Sequence, residues 1–128
     1  PPYERRPYKT LTTEDGWVYI GMTSKNWKNN DIPDGEGTMW FGDGSVYKGY
    51  WKDGIKKGEG TFWHCENKVW SGNWENDDMK SGTIWSPDPV TGDMTPFKLV
   101  KDKDGKVTLS EPLGENPDMP EKPEKPAN

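Results

Sequence analysis

The chain has few of the residues from which most globular cores are built. Of its 128 residues only 17, about 13%, are Leu, Ile, Val or Phe, a share that by itself is typical of disordered chains. There is one cysteine, Cys65, and one histidine, His64. A single cysteine excludes an internal disulfide framework and suits a reducing compartment. No apolar run approaches the roughly 20 residues that span a bilayer, so the sequence predicts no transmembrane segment.

The chain also lacks an excess of positive charge. Its 22 acidic and 17 basic residues give a net charge of −5, and the bases form no stripe that could neutralise phosphates. Nucleic-acid binding therefore has little support. Five acids and two lysines fall in residues 111–128, so the rest of the chain is nearly neutral.

Aromatic residues supply the missing apolar surface. All eight tryptophans lie between Trp17 and Trp85, and an aromatic side chain can bury roughly 150–250 Å². This region holds three imperfect copies of one pattern, and a fixed period of 23 residues marks a repeat protein. Trp27 is interpreted as the aromatic residue of the longer first copy. The positions that recur, to which we assign a structural role, are Tyr19, Gly21, Gly35, Gly37, Tyr47, Gly49, Trp51, Gly54, Gly58, Gly60, Trp70, Gly72, Trp74 and Gly82.

Within each copy the local period is two, which predicts β-strands. An extended backbone places Tyr47, Gly49 and Trp51 on one face, and the central glycine leaves room for an aromatic ring from a neighbouring strand. Asp43-Gly44 and Asp53-Gly54 are typical of hairpin turns. The predicted organisation is an extended arm (1–16), a repeat domain (17–86, with copies 19–46, 47–69 and 70–86), an exit loop (87–96), a terminal β-hairpin (97–110) and a Pro/Glu/Lys-rich tail (111–128).

The middle copy resembles the MORN (membrane occupation and recognition nexus) repeat, through Tyr47-x-Gly49-x-Trp51-x-x-Gly54-x-x-x-Gly58-x-Gly60-Thr61. A half-match follows at Trp70-x-Gly72-x-Trp74 and Gly82-Thr83, so the resemblance covers residues 17–86. It implies an all-β fold in which successive hairpins form an elongated, twisted, single-layer antiparallel sheet. It also implies a scaffold or docking role in protein assemblies, and in some members binding of phospholipid headgroups.

Two features depart from the family pattern. The turn residues Asp43-Gly44 are replaced by Glu66-Asn67 in the second copy, where asparagine can adopt the left-handed conformation of glycine. The second departure is a tryptophan at a position that the family usually keeps small or polar. These tryptophans, Trp40, Trp63 and Trp85, are predicted to lie opposite Met39, Phe62 and Ile84, since neighbours in a strand face opposite ways.

The tryptophan row is the main candidate site. We expect Trp40, Trp63, Trp85 and Tyr50 to bind a protein partner, because exposed apolar patches mark interaction sites and Trp and Tyr dominate binding hot spots. In the alternative, the arm or the 97–109 hairpin covers the row. The tail is expected to be extended or disordered unless a partner holds it.

The sequence thus favours a non-enzymatic protein-binding module, a scaffold or accessory subunit of a larger assembly. The alternative is a ligand-binding module for phospholipid headgroups or carbohydrate, with aromatic rings stacking on sugars and phosphate meeting Lys48, Lys52, Lys56, Lys57 and Lys68. We expect an intracellular location, whether cytoplasmic, cytoskeletal or membrane-peripheral. Because the chain begins with Pro1-Pro2 and has no initiator Met, an organellar location stays open.

No catalytic, cofactor or metal site is predicted. His64-Cys65 has no second histidine or cysteine with which to ligate a metal or form a nucleophile-base pair. Asp102-x-Asp104-Gly105 begins like a calcium loop, but the glutamate expected at its twelfth position is Leu113. We interpret it as a charged hairpin turn. Asp77-Asp78 has no apolar surroundings that would raise a carboxyl pKa for acid–base chemistry.

Overall fold

The protein is a single antiparallel β-sheet. The computed structural model describes residues 6–127, and every regular element in that range is a strand. The strands pair in chain order, each with the next. They are β1 Tyr8–Thr12, β2 Val18–Lys25, β3 Asp31–Trp40, β4 Val46–Lys52, β5 Ile55–His64, β6 Lys68–Glu75, β7 Asp78–Pro87, β8 Met94–Lys101 and β9 Val107–Leu109. The predicted all-β, single-layer sheet is confirmed, and residues 6–127 contain no helix long and apolar enough to cross a membrane.

Each copy of the repeat forms one hairpin, and its turn residues explain why. In the β4–β5 turn both Asp53 (φ 50°) and Gly54 (φ 82°) have positive φ, as a two-residue turn that matches the twist of its strands requires. In the turns that connect one hairpin to the next, Gly44 (β3–β4) has a φ of 94° and Asn67 (β5–β6) a φ of 66°. Asparagine therefore takes the left-handed conformation predicted for it.

A row of glycines crosses the sheet, because the repeat glycines are successive cross-strand partners: Gly21, Gly37, Gly49, Gly60, Gly72 and Gly82. A Cβ at Gly60 would lie 2.0 Å from the hydroxyl oxygen of Tyr47, so the absent side chain makes room for that ring. At Gly49 the prediction was wrong in detail. The closest atoms to a Cβ there are main-chain atoms of β5, at 2.5 Å, and not a ring from a neighbouring strand.

Three segments differ from the predicted organisation. The arm contributes β1, which pairs with Val18–Met22 and adds one strand to the edge of the first copy; residues 1–5 lie outside the described range. Strands β7 and β8 extend into the predicted exit loop and leave 88–93 as the connection. Trp27 is not a repeat position, because it lies in the β2–β3 loop and is 88% exposed.

Apolar clusters lie on both faces of the sheet. The packed face is built around Tyr19, Met39, Tyr47, Trp51, Trp74, Met79 and Ile84, with Phe62 against them. The opposite face, which we call the tail face, is built around Trp40, Val46, Trp63, Val69 and Trp85. The predicted separation of Met39, Phe62 and Ile84 from the tryptophan row is confirmed.

Candidate protein-binding face

The tail face carries an alternating row of valine and tryptophan side chains across six strands. The cross-strand register places Trp63 between Val46 and Val69, and such neighbours on one face pack against each other. From β2 to β7 the row is Val18, Trp40, Val46, Trp63, Val69 and Trp85. Each repeat therefore contributes one tryptophan and one hairpin's width to a continuous aromatic surface.

The C-terminal tail crosses this row and hydrogen-bonds to all three of its tryptophans. The indole N–H of Trp63 donates to the carbonyl oxygen of Pro120 at 3.0 Å. Trp40 donates in the same way to Pro123 at 3.2 Å and Trp85 to Pro117 at 3.3 Å. The accepting residues are three apart, and their order is the reverse of the tryptophan order.

Two tail lysines fix the same segment to the turns between hairpins. The ammonium group of Lys122 donates to the carbonyl oxygen of Gly44, in the β3–β4 turn, at 3.0 Å. Lys125 donates to the carbonyl oxygen of Gly16, in the β1–β2 turn, at 3.4 Å. These lysines are again three residues apart, so side-chain and main-chain contacts share one period.

The structure corrects the expected exposure of the candidate residues. Trp40, Trp63 and Trp85 are only 7%, 5% and 4% exposed, so they form no free patch in the isolated chain. The described contacts that cover them come from the tail, which hydrogen-bonds to all three indoles. Tyr50, opposite Glu36 of the neighbouring strand β3, stays 48% exposed. Binding of a partner by these four residues remains a prediction.

Sequence reasoning missed the tail as part of the site, although a signal was present. Prolines recur at Pro117, Pro120, Pro123 and Pro126, a three-residue period that matches the extended polyproline II helix. Such segments characteristically dock on aromatic-lined grooves. A row of tryptophans and a proline period in one chain could therefore have been paired before the structure was seen.

The packed face repeats the use of indole donors, but here toward the sheet itself. Trp51 donates to the carbonyl oxygen of Gly37 at 3.2 Å, and Trp74 donates to that of Gly60 at 3.0 Å. Burial raises the pKa of the Tyr19 and Tyr47 hydroxyls well above its ordinary value. Tyr19, Tyr47, Trp51 and Trp74 are therefore part of the core of the packed face.

Lys56 lies inside the aromatic cluster of the packed face. Its Nζ atom is 5.4–5.8 Å from the ring centroids of Phe41, Tyr47, Trp51 and Phe62. The side chain is 17% exposed and its ammonium lies 3.7 Å from an oxygen of Asp77. One of the five lysines proposed to meet phosphate is thus occupied within the fold.

A cavity of about 520 Å³ opens at the C-terminal end of the sheet. Its walls include the apolar side chains of Trp70, Leu99 and Leu109, and the buried indole N–H of Trp70 has no hydrogen-bond partner. Three lysines and one aspartate also line it, namely Lys68, Lys80, Lys101 and Asp78. The charged part of the lining is therefore net positive in an acidic chain.

The remaining polar candidates have local structural partners. The Nδ1 atom of His64 accepts the amide of Glu66 at 3.0 Å. Asp102 accepts the amides of Asp104 and Lys106 at 2.9 and 2.8 Å, as a charged hairpin turn should. Within residues 6–127, no group of three His, Cys, Asp or Glu side chains is placed to hold a metal ion.

A scan of the chain against protein-family models finds no match, and no curated protein matches it either. The family resemblance therefore remains a prediction.

Proposed function

We propose that the chain is a non-enzymatic, MORN-type protein-binding module that serves as a scaffold or accessory subunit of a larger assembly. The observation that carries this proposal is the row of three indole N–H donors, one per repeat, each bonded to a main-chain carbonyl of the tail. Every peptide segment offers such carbonyls. The tail face therefore has the chemistry to hold an extended segment of protein.

Exposed aromatic residues elsewhere support a role in an assembly. Trp27 is 88% exposed in the β2–β3 loop, and Lys28 lies over its ring at 4.9 Å from the centroid. A large, rigid aromatic side chain held at the surface is typical of an interface anchor. Trp27 and the tail face give the module two places at which neighbouring subunits could attach.

Photo-crosslinking in the native assembly tests this function. A benzophenone side chain replaces Tyr50, on the tail-face side, or Trp27, and a control chain carries it at Val90, which is 90% exposed in the 88–93 connection. We expect defined crosslinks to the same neighbouring protein from Tyr50 or Trp27 and not from Val90. A chain that migrates as a 14.6 kDa monomer under native extraction, with no specific crosslinks, would contradict the proposal.

The cavity at the C-terminal end favours a second candidate function, binding of a phospholipid headgroup. Lys68, Lys80 and Lys101 could meet phosphate, and the apolar walls could accept the start of an acyl chain. Basic side chains clustered near an anionic membrane contribute about 1 kcal/mol each. The carbohydrate alternative has no such support, because the aromatic row on which it depended lies under the tail.

Flotation with vesicles tests the lipid candidate. At low salt, the chain should float with vesicles that contain phosphatidylserine and not with neutral ones. Lys80→Glu should abolish flotation, while Lys48→Glu, outside the cavity, should leave it intact. Equal flotation of the two variants would remove the cavity from consideration.

A further inference from the structure

The width of one hairpin in the sheet is nearly equal to the length of three residues of an extended proline-rich segment. Neighbouring strands lie roughly 4.8 Å apart, so one hairpin advances about 9.6 Å across the sheet. Three residues of a polyproline II helix advance about 9.3 Å. A segment of that conformation that crosses the strands therefore meets an equivalent position on each hairpin with each turn.

The observed contacts follow this coincidence. Pro117, Pro120 and Pro123 accept from the tryptophans of three successive repeats. Proline has a fixed φ near −65° and no amide donor, so it holds the extended conformation and leaves only its carbonyl to bond. Proline therefore suits the first position of each tail triad, because that position needs an extended backbone and only a carbonyl acceptor.

The third residue of a triad reaches the turns. Lys122 contacts Gly44 in the β3–β4 turn, and Lys125 contacts Gly16 in the β1–β2 turn. The second residues, Glu121 and Glu124, are exposed. A Pro-x-Lys triad therefore places a carbonyl on a tryptophan and an ammonium on a turn carbonyl, with its middle residue toward solvent.

We propose that the tail face is a recognition site for polyproline II segments that reads one Pro-x-Lys triad per hairpin, and that the tail is its intramolecular ligand. The partner that it takes is a proline-rich segment of another protein with a proline at every third residue, which displaces the tail. This inference rests on the proposed protein-binding function and adds to it the class of partner.

The tail is placed so that it can be displaced. Pro120 and Pro123 are half-buried and Pro117 is exposed, so the segment lies on the surface and is not enclosed by it. Its first triad, Pro117-Asp118-Met119, also departs from the motif, since Met119 stands where a lysine would face the turn at Asn67. A partner with lysine in all three triads makes one contact more than the tail makes. It must still compete with a tethered ligand whose effective concentration is about millimolar.

Peptide titration of the full chain tests the triad code. The peptide is four Pro-Glu-Lys triads, and its control has one glycine added to each triad so that proline recurs every fourth residue. The proteins are the wild-type chain and a loosened variant with Lys122→Ala and Lys125→Ala. Binding is followed through the indole ¹H–¹⁵N signals of Trp40, Trp63 and Trp85.

We expect the triad peptide to bind the loosened variant about tenfold more tightly than it binds the wild type, because the competing tail is weakened. The control peptide should bind the loosened variant at least about tenfold more weakly than the triad peptide does, since the loss of one hydrogen bond or more corresponds to a factor of this size.

Equal binding of the two peptides would overturn the triad code while leaving a protein-binding tail face. If the triad peptide bound neither protein, the proposal would be overturned. It would also be overturned if the loosened variant formed a dimer that the peptide does not dissociate, because a second copy of the chain would then occupy the tail face. Failure of the parent function would appear separately, as missing crosslinks in the native assembly.

A gain-of-contact variant tests the code within the chain. Met119→Lys should slow hydrogen exchange of the Trp63 and Trp85 indole protons at least threefold, because the added ammonium meets the turn at Asn67. Met119→Glu should not slow it. Equal exchange in the two variants would overturn the role of the third residue.

Discussion

The indole N–H of Trp63 donates a 3.0 Å hydrogen bond to the carbonyl oxygen of Pro120, 57 residues further along the chain. This contact joins the middle repeat to a segment that has no regular secondary structure of its own. It also shows why a single-layer sheet can be apolar on both faces. One face packs its aromatic residues against each other, and the other is covered by the tail.

Truncation of Trp63 should therefore destabilise the free chain. Trp63→Ala removes a 5%-exposed ring and should cost about 3–5 kcal/mol of unfolding free energy, as for other buried aromatic residues. Trp63→Phe keeps most of the ring but loses the N–H donor, so about 1 kcal/mol should be lost for the bond. Urea unfolding measures both. A Trp63→Ala chain as stable as the wild type would mean that the tail does not bury this residue.

Phe62→Ala, on the packed face, gives the matched comparison. The ring makes edge contacts with Phe41, Trp70 and Trp74, so its loss should also cost about 3 kcal/mol. Similar destabilisation by the two neighbouring substitutions would show that both faces are internal. A large effect at Phe62 alone would restore a free tryptophan row.

The glycine row should tolerate no side chain. In Gly60→Ala the new Cβ would meet the Tyr47 ring at 2.0–2.8 Å, and overpacking of this kind costs about 1–3 kcal/mol. Gly114→Ala is the control, since nothing lies within 4 Å of a Cβ there, and it should change stability by less than about 0.5 kcal/mol. Equal melting temperatures for the two variants would refute the close approach of Tyr47.

Lys56 should be replaceable by methionine. The register pairs Trp51 with Lys56 and Trp74 with Met79, so the next copy already uses methionine at this position, 7% exposed. Lys56→Met keeps the packing of the stem and should stay within about 1 kcal/mol of the wild type. Lys56→Ala should lose about 2 kcal/mol or more through the cavity left behind. If both variants are equally destabilised in thermal unfolding, attraction between the ammonium and the rings holds the site instead.

Alkaline pH should destabilise the sheet through its buried tyrosines. Burial raises the folded-state pKa of Tyr19 and Tyr47, so above pH 10 the unfolded chain loses protons that the folded chain keeps. Stability is then fully present below about pH 10 and falls above it, by about 1.4 kcal/mol per pH unit for each tyrosine. Free energies of unfolding from urea titrations between pH 9 and pH 11 should fall with pH in this way. In Tyr47→Phe the slope should be about half as steep. A Tyr47→Phe slope equal to that of the wild type would show that folding does not raise the pKa of Tyr47.

The fold was accessible from the sequence because its signals are local. Period-two patterning, the Asp53-Gly54 turn and the repeated glycines each concern residues in one hairpin or its immediate neighbour, and together they predict the sheet. The alternation of side chains also separated Phe62 from Trp63 correctly. What covers Trp63 was not accessible in this way, since the partner Pro120 is distant in sequence and compositionally resembles a linker. Trp27 was misassigned because the extra residues of the first copy form a loop that carries it away from the sheet.

In the free chain the tail covers the tryptophan row. Hydrogen exchange of the tryptophan indole protons, followed by ¹H–¹⁵N NMR, tests it most directly, with Trp27 as the exposed reference and Trp51 and Trp74 as the protected ones. We expect the indole protons of Trp40, Trp63 and Trp85 to exchange at least about tenfold more slowly than that of Trp27. We also expect a nuclear Overhauser contact between Trp63 and the Pro120–Glu121 segment. Exchange of these three indole protons as fast as that of Trp27, while Trp51 and Trp74 stay protected, would contradict cover by the tail.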